Sequence, residues 1–114
     1  MLGSGVKIAD DHVDIRINGD MALFRAIGSV MIENGWIDKS FIDSSTSGYD
    51  SYVKASKKIN WDEIEKATGQ SESRIRDLAT LFSRSRSTII CWAMGITQHR
   101  NSVDTIREIV NVLL

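Results

Sequence analysis

With 114 residues, 42% of them hydrophobic and 25% charged, and a net charge of −1, the chain is sized for one domain with a modest core. That balance excludes a strong electrostatic pull toward nucleic acid or an anionic membrane, and no apolar run approaches the ~20 residues that a membrane span needs. A single cysteine, Cys91, excludes an internal disulfide, a cysteine-rich zinc site and an iron–sulfur cluster bound by this segment alone; the short uncharged start, Met1–Gly5, lacks the features of a secretory signal, so a reducing cytoplasm is the expected compartment.

In chain order, Val13, Ile15 and Ile17 alternate with Asp14 and Arg16, the period-two pattern of a half-buried strand. Asn18-Gly19 turns the chain, and Asp20 is placed to cap a helix from Met21 to about Asn34 whose apolar face is Leu23, Ile27, Val30 and Met31. Gly35 suits its left-handed end. Gly28, mid-helix, costs about 1 kcal/mol relative to Ala, which is read either as close packing or as simple tolerance. Asp38 caps a short helix through Ser44 that buries Phe41 and Ile42. A weaker helix, Gly48–Lys58, turns Tyr49, Tyr52 and Val53 inward. Asn60-Trp61-Asp62-Glu63 has the layout of a capping box and opens a helix that ends at Gly69. Ser71 caps the next, Glu72 to about Ser83, with the stripe Ile75, Leu78, Ala79 and Phe82. Thr88-Ile89-Ile90-Cys91-Trp92 is apolar after its first residue, as a strand covered on both faces would be. An apolar helix starts near Ser102. It grows more apolar toward Leu114 without a cap, which reads as a cut end. Two strands do not make a stable sheet alone, so the missing strands are expected from elsewhere in a longer parent.

The connection Ala93-Met94-Gly95-Ile96-Thr97-Gln98-His99-Arg100-Asn101 joins that second strand to the last helix. In α/β proteins ligands collect there, because unpaired backbone N–H groups and the helix dipole meet. Together with Ile90-Cys91-Trp92, it resembles the molybdopterin-dependent oxidoreductases, specifically the catalytic subunit of formate dehydrogenases and close relatives. Those proteins carry a small-Met-Gly-aliphatic-Thr-Gln-His/Phe loop in their pterin-binding middle domain. The resemblance runs from about Ile8 to Leu114. It implies a helix-rich α/β segment of a Rossmann-like pterin-binding domain with few strands, divided as 1–17 (lead-in and strand), 20–87 (helical region) and 88–114 (strand, cofactor loop and helix).

By the same resemblance the loop wraps one of two pterin guanine dinucleotides that hold molybdenum or tungsten. Met94, Gly95 and Gln98 are the first candidates for contact, Thr97 and His99 the second. Gly95 lets the backbone approach a flat ligand, Gln98 offers donor and acceptor to a ring edge, and Met94 packs on a ring face without fixing its shape. The plainer account is a solvated structural loop. By the resemblance, the position of His99 is aromatic in some family members, which speaks against a proton-transfer role there. The parent would hold a bis(molybdopterin guanine dinucleotide) centre and a [4Fe–4S] cluster and oxidise formate to carbon dioxide. Its metal ligand would lie upstream, no metal ligand or catalytic residue is expected here, and the segment by itself is expected to be inactive and to carry no cofactor.

Competing assignments are few. His12 and His99 show no paired metal-ligand spacing, and His12 is best placed on a strand edge. Cys91 reads as a buried small hydrophobe rather than a nucleophile. Trp36, Trp61 and Trp92 are assigned to the core or to surface that the parent covers. The two helices around Gly69-Gln70-Ser71 have the proportions of a helix-turn-helix. Arg74, Arg76, Arg84 and Arg86 would then face DNA, giving a non-enzymatic interaction module as the alternative. Glu72 and Asp77 on the same helix argue against a basic face, and nucleic acid is not the expected partner. The expected partners are the rest of the parent enzyme and the pterin dinucleotide, with self-association of the isolated segment through its exposed strand or last helix.

Overall fold

Helix α1 (Asp20–Glu33) carries apolar side chains around most of its circumference, from Met21 and Ala22 to Met31 and Ile32. Such a helix has no face to give to water, so it becomes the centre around which the others pack. The computed structural model describes residues 9–114; the lead-in residues 1–8 lie outside that range. Around α1 stand α2 (Lys39–Ser45), α3 (Tyr49–Ser56), α4 (Trp61–Thr68), α5 (Glu72–Arg84), the single turn α6 (Met94–Thr97) and α7 (Ser102–Leu113). Helices α3, α4, α5 and α7 all contact α1, and α6 leans on α7. Leu23, Ala26, Ile27 and Val30 of α1 meet Ile64 of α4, Ile75, Leu78 and Ala79 of α5 and Val112 of α7 in one core. Phe24 and Phe82 close its edge with their rings edge to face, 6.4 Å apart.

The helix ends follow local chemistry. Asp38 accepts from the Phe41 N–H at 3.0 Å, and Ser71 from the Arg74 N–H at 3.2 Å. Asn60 accepts from the N–H of Asp62, not from that of Glu63, so it caps α4 without the reciprocal box. Gly35 and Gly69 end α1 and α4 with φ of 68° and 77°, a conformation that glycine takes without strain. Asp20 does not cap α1: Gly19 holds the cap position and no side chain bonds there. Phe41, expected inside, is exposed, while Ile42 beside it is buried.

The expected α/β fold is overturned, because the described residues contain helices and no strand. Val13–Ile17 forms no strand: Val13 and Ile15 pack on the core as the alternation requires, but Ile17, its third apolar member, lies in a turn and is 91% exposed. Its hydrogen-bond partners, however, are the end of a helix. The Arg16 N–H donates to the Thr68 carbonyl at 3.0 Å, and the Arg16 guanidinium to the Lys66 carbonyl at 2.6 Å. Period-two burial needs only a flat apolar surface, and here helices supply it. Thr88–Trp92 departs further: it has no regular structure, Ile89 is 86% exposed, and Cys91 and Trp92 are exposed as well. Cys91 is therefore a surface thiol, not a buried hydrophobe. A strand covered on both faces needs neighbours on two edges and two faces, and the described helices provide none of them.

Candidate functional site

The loop singled out by its composition is partly helical. The Ala93 carbonyl accepts from the Ile96 and Thr97 N–H groups at 3.0 and 3.2 Å, and the Met94 carbonyl from the Gln98 N–H at 3.1 Å. This winds Met94–Thr97, read in the sequence as part of a loop, into the turn α6. Met94, Gly95, Thr97 and Gln98 are exposed on it together, and His99 beside them is half-buried. None of the described residues bonds the side-chain amide of Gln98. Thr97 makes a long bond, 3.5 Å, to the Ala93 carbonyl. A methyl group on Gly95 would meet nothing within 4 Å. Packing among the described residues does not account for a glycine there.

A second element joins the loop, one that reads in the sequence only as a turn. The amide of Asn101, the residue before α7, lies 3.9 Å from the sulfur of Met21 in the first turn of α1. The turn Asn18-Gly19, with Asn18 in the left-handed region at φ 68°, thus sits beside the end of the loop. It is set there by close packing: a methyl on Gly19 would come within 2.7 Å of the Ala67 carbonyl. Neither α1 nor α7 has a side-chain cap. Both helix starts therefore leave first-turn N–H groups for water or a ligand. Residue type gives no advance signal of this: Asp20 is expected to cap α1, and Asn101, a favoured capping residue, stands at the start of α7 without bonding there.

Charge follows the same division. Between Asp77 and Asp104 the sequence has no Asp or Glu, while Arg84, Arg86 and Arg100 lie within that stretch. Two arginines of the supposed recognition helix, Arg74 and Arg76, are engaged elsewhere. Arg74 donates to both carboxylate oxygens of Asp11 at 2.6 Å. That bond holds the Asp11 carboxyl below and the Arg74 guanidinium above their ordinary ranges. Arg76 bonds Glu72 at 2.7 Å and Glu33 at 3.0 Å and lies over the Trp61 ring. A helix whose arginines are paired with acids offers little to phosphates.

Among the described residues no three His, Cys, Asp or Glu side chains are grouped so as to hold a metal ion. His12 is exposed and pairs with Asp14 at 3.0 Å. Among the same residues no helix is long and apolar enough to cross a membrane. An open cleft of about 930 Å³ lies on another side, between α1, α2, α3 and the ends of α5 and α7. Met31, Trp36, Phe82 and Val112 help to line it, and none of Met94–His99 reaches it. Its floor continues the apolar core, whereas the Met94–Gln98 turn lies exposed beside the starts of α1 and α7.

The sequence profile of the molybdopterin oxidoreductase family matches residues 2–114. An uncharacterised oxidoreductase of Mycobacterium tuberculosis is 39% identical across 100% of this chain, which corresponds to 15% of that protein. Formate dehydrogenase H of Escherichia coli is 34% identical over 95% of the chain and 15% of its own length. Acetylene hydratase from Pelobacter acetylenicus is similar in structure, with a TM-score of 0.81 and 27% identity over 89% of this chain and 14% of that one. The chain spans about 15% of the length of the curated relatives it matches.

Proposed function

Since the chain belongs to the molybdopterin oxidoreductase family, we propose that it is a pterin-contacting segment of a larger cytoplasmic molybdenum or tungsten oxidoreductase, with formate as the leading substrate. The observation that carries this reading is the exposed turn Met94–Gln98, whose glycine and side-chain amide meet no partner among the described residues, beside two helix starts without side-chain caps. Those features suit a flat heterocycle with an anionic diphosphate. Gln98 would pair with the ring edge, Met94 would cover a ring face, and Gly95 would admit close approach. Thr97 and His99 would border it. First-turn N–H groups of α1 and α7 other than that of Ser102, which bonds the His99 carbonyl, would meet the phosphates, with Arg100 nearby.

When bound in the parent, the cofactor supplies the two-electron chemistry, with a [4Fe–4S] cluster as electron relay; this chain's residues bind and orient it. By the resemblance to the family, the metal ligand is assigned to a part of the parent upstream of this segment. Reaction type is assigned elsewhere too: a protein named a hydratase has the same fold over this segment, and the resemblance to formate dehydrogenase H covers only 15% of that protein's length.

The test is pterin content in the parent enzyme. Gly95→Trp and Gln98→Ala should each lower bound pterin at least several-fold, while the same changes leave the melting temperature of the 114-residue chain within about 2 °C, as exposed positions do. Full pterin occupancy in both variants would sink the assignment.

A further inference from the structure

We propose that Gly28, Tyr52 and Glu108 form a positioning tie that fixes the register of α7 against α1 and thereby holds the Met94–Gln98 turn in place. Tyr52, from α3, passes over α1 at Gly28, where a methyl group would lie 2.6 Å from the phenol oxygen. The phenol donates to Oε2 of Glu108 on α7 at 3.0 Å in a half-buried setting. Asn111, one turn further along α7, also acts on the phenol. Three helices therefore meet at one hydroxyl.

The need for such a contact follows from how α7 is otherwise held. Thr105, Ile109 and Val112 are its buried residues; apart from the long Asn101–Met21 contact at its start, it is held to α1 chiefly by apolar packing, which is non-directional. A hydrogen bond requires a distance and an angle. Burial, and next the Glu108 charge, push the Tyr52 phenol well above its ordinary value, so it remains a donor throughout the usual pH range. From α7 the constraint passes to the loop by short steps. The Asn101 carbonyl accepts both the N–H and the hydroxyl of Thr105, at 3.0 and 3.1 Å, and the Ser102 N–H reaches the His99 carbonyl at 3.1 Å. Tyr52 and Glu108 are positioning residues; neither is assigned a contact with the cofactor. Only the consequence for pterin binding rests on the functional reading above.

The experiment is amide hydrogen exchange on the 114-residue chain and its Tyr52→Phe, Glu108→Ala and Glu108→Gln variants. Loss of the bond should accelerate exchange at Thr97, Gln98, Ser102 and Thr105 about tenfold in Tyr52→Phe and Glu108→Ala. Glu108→Gln keeps an acceptor and should stay within about twofold of the parent chain at the same amides. Ile64 and Ile75 should exchange at unchanged rates in all of them. Uniform acceleration across every helix would reduce the trio to a general stability contact and overturn the tie. Unchanged exchange at Thr97–Thr105, or equal effects of Glu108→Gln and Glu108→Ala, would overturn it as well. Pterin content of Tyr52→Phe in the parent enzyme separates the two readings: a loosened loop with full pterin upholds the tie and counts against the pterin assignment alone.

Discussion

Two stretches of nearly equal apolarity meet opposite fates. Leu23–Ile32 in α1 becomes the centre of the core, whereas Ile89-Ile90-Cys91-Trp92 remains largely on the surface without regular structure. The difference lies in where each finds its backbone hydrogen bonds. A helix satisfies its N–H and C=O groups within itself and asks its surroundings only for apolar contact. An extended segment must borrow partners from a neighbouring strand. The first requirement is met inside this chain, and among the described residues the second is not. Hydrophobic residues alone therefore do not say that a segment is buried here; they say that it is built to be covered by something.

The sharpest way to break that comparison is to remove equal side chains from both stretches. Ile75 and Ile27 are almost wholly buried, so Ile75→Ala or Ile27→Ala should cost about 2–5 kcal/mol, read as a large drop in the urea midpoint. Ile89→Ala, at an exposed position, should stay within about 0.5 kcal/mol. A comparable loss at Ile89 would mean that Thr88–Trp92 is covered in solution, and the contrast would fall.

A smaller effect sharpens the account of α1. Gly28→Ala places a methyl 2.6 Å from the Tyr52 hydroxyl, and overpacking of this kind costs about 1–3 kcal/mol. That exceeds the roughly 1 kcal/mol that alanine would gain over glycine in a helix interior. The variant should therefore be no more stable than the parent chain. Combining it with Tyr52→Phe, which removes the clashing oxygen, should recover part of any loss. A Gly28→Ala chain that melts several degrees higher would show that the three-helix crossing is looser than its geometry indicates.

Sequence reading does well where structure is local. The Asp38, Asn60 and Ser71 caps and the Gly35 and Gly69 ends are where side-chain chemistry and backbone conformation put them. It fails where the outcome depends on a distant partner. Val13–Arg16 shows period-two burial because a helix end, not a strand, accepts its bonds, and the pattern breaks at the exposed Ile17. Thr88–Trp92 lacks, among the described residues, every neighbour its pattern calls for. At the loop, Met94, Gly95, Thr97 and Gln98 are gathered on one turn as neighbours in sequence must be. The approach of Asn101 to Met21, across 80 positions, carries no signal in residue spacing. Nor does the Tyr52–Glu108 bond, which joins two residues that each read as ordinary members of a helix.

The smallest predicted effect concerns pH and again divides the molecule in two. Backbone hydrogen bonding from Phe41, then the Ser40 hydroxyl, lowers the pKa of Asp38 from its ordinary 3.8. The side-chain bond from Arg74 does the same for Asp11. A carboxyl whose folded-state pKa is lowered stabilises the fold fully above its unfolded value, and that contribution disappears as pH falls through the lowered one. Stability should therefore decline below about pH 4 through these groups. Asp38→Asn tests this cleanly, because asparagine keeps an acceptor for the Phe41 N–H and is an equally good cap. Its melting temperature should match the parent chain at pH 7 and fall less steeply toward about pH 2.5. An unchanged acid slope would remove Asp38 from the account. The stretch from Leu78 to Val103 contains no carboxylate, so substitutions of Gln98 or Met94 should leave the acid slope where it is. Ligand contact at the loop and acid stability of the helical body would then be separable properties of one short chain.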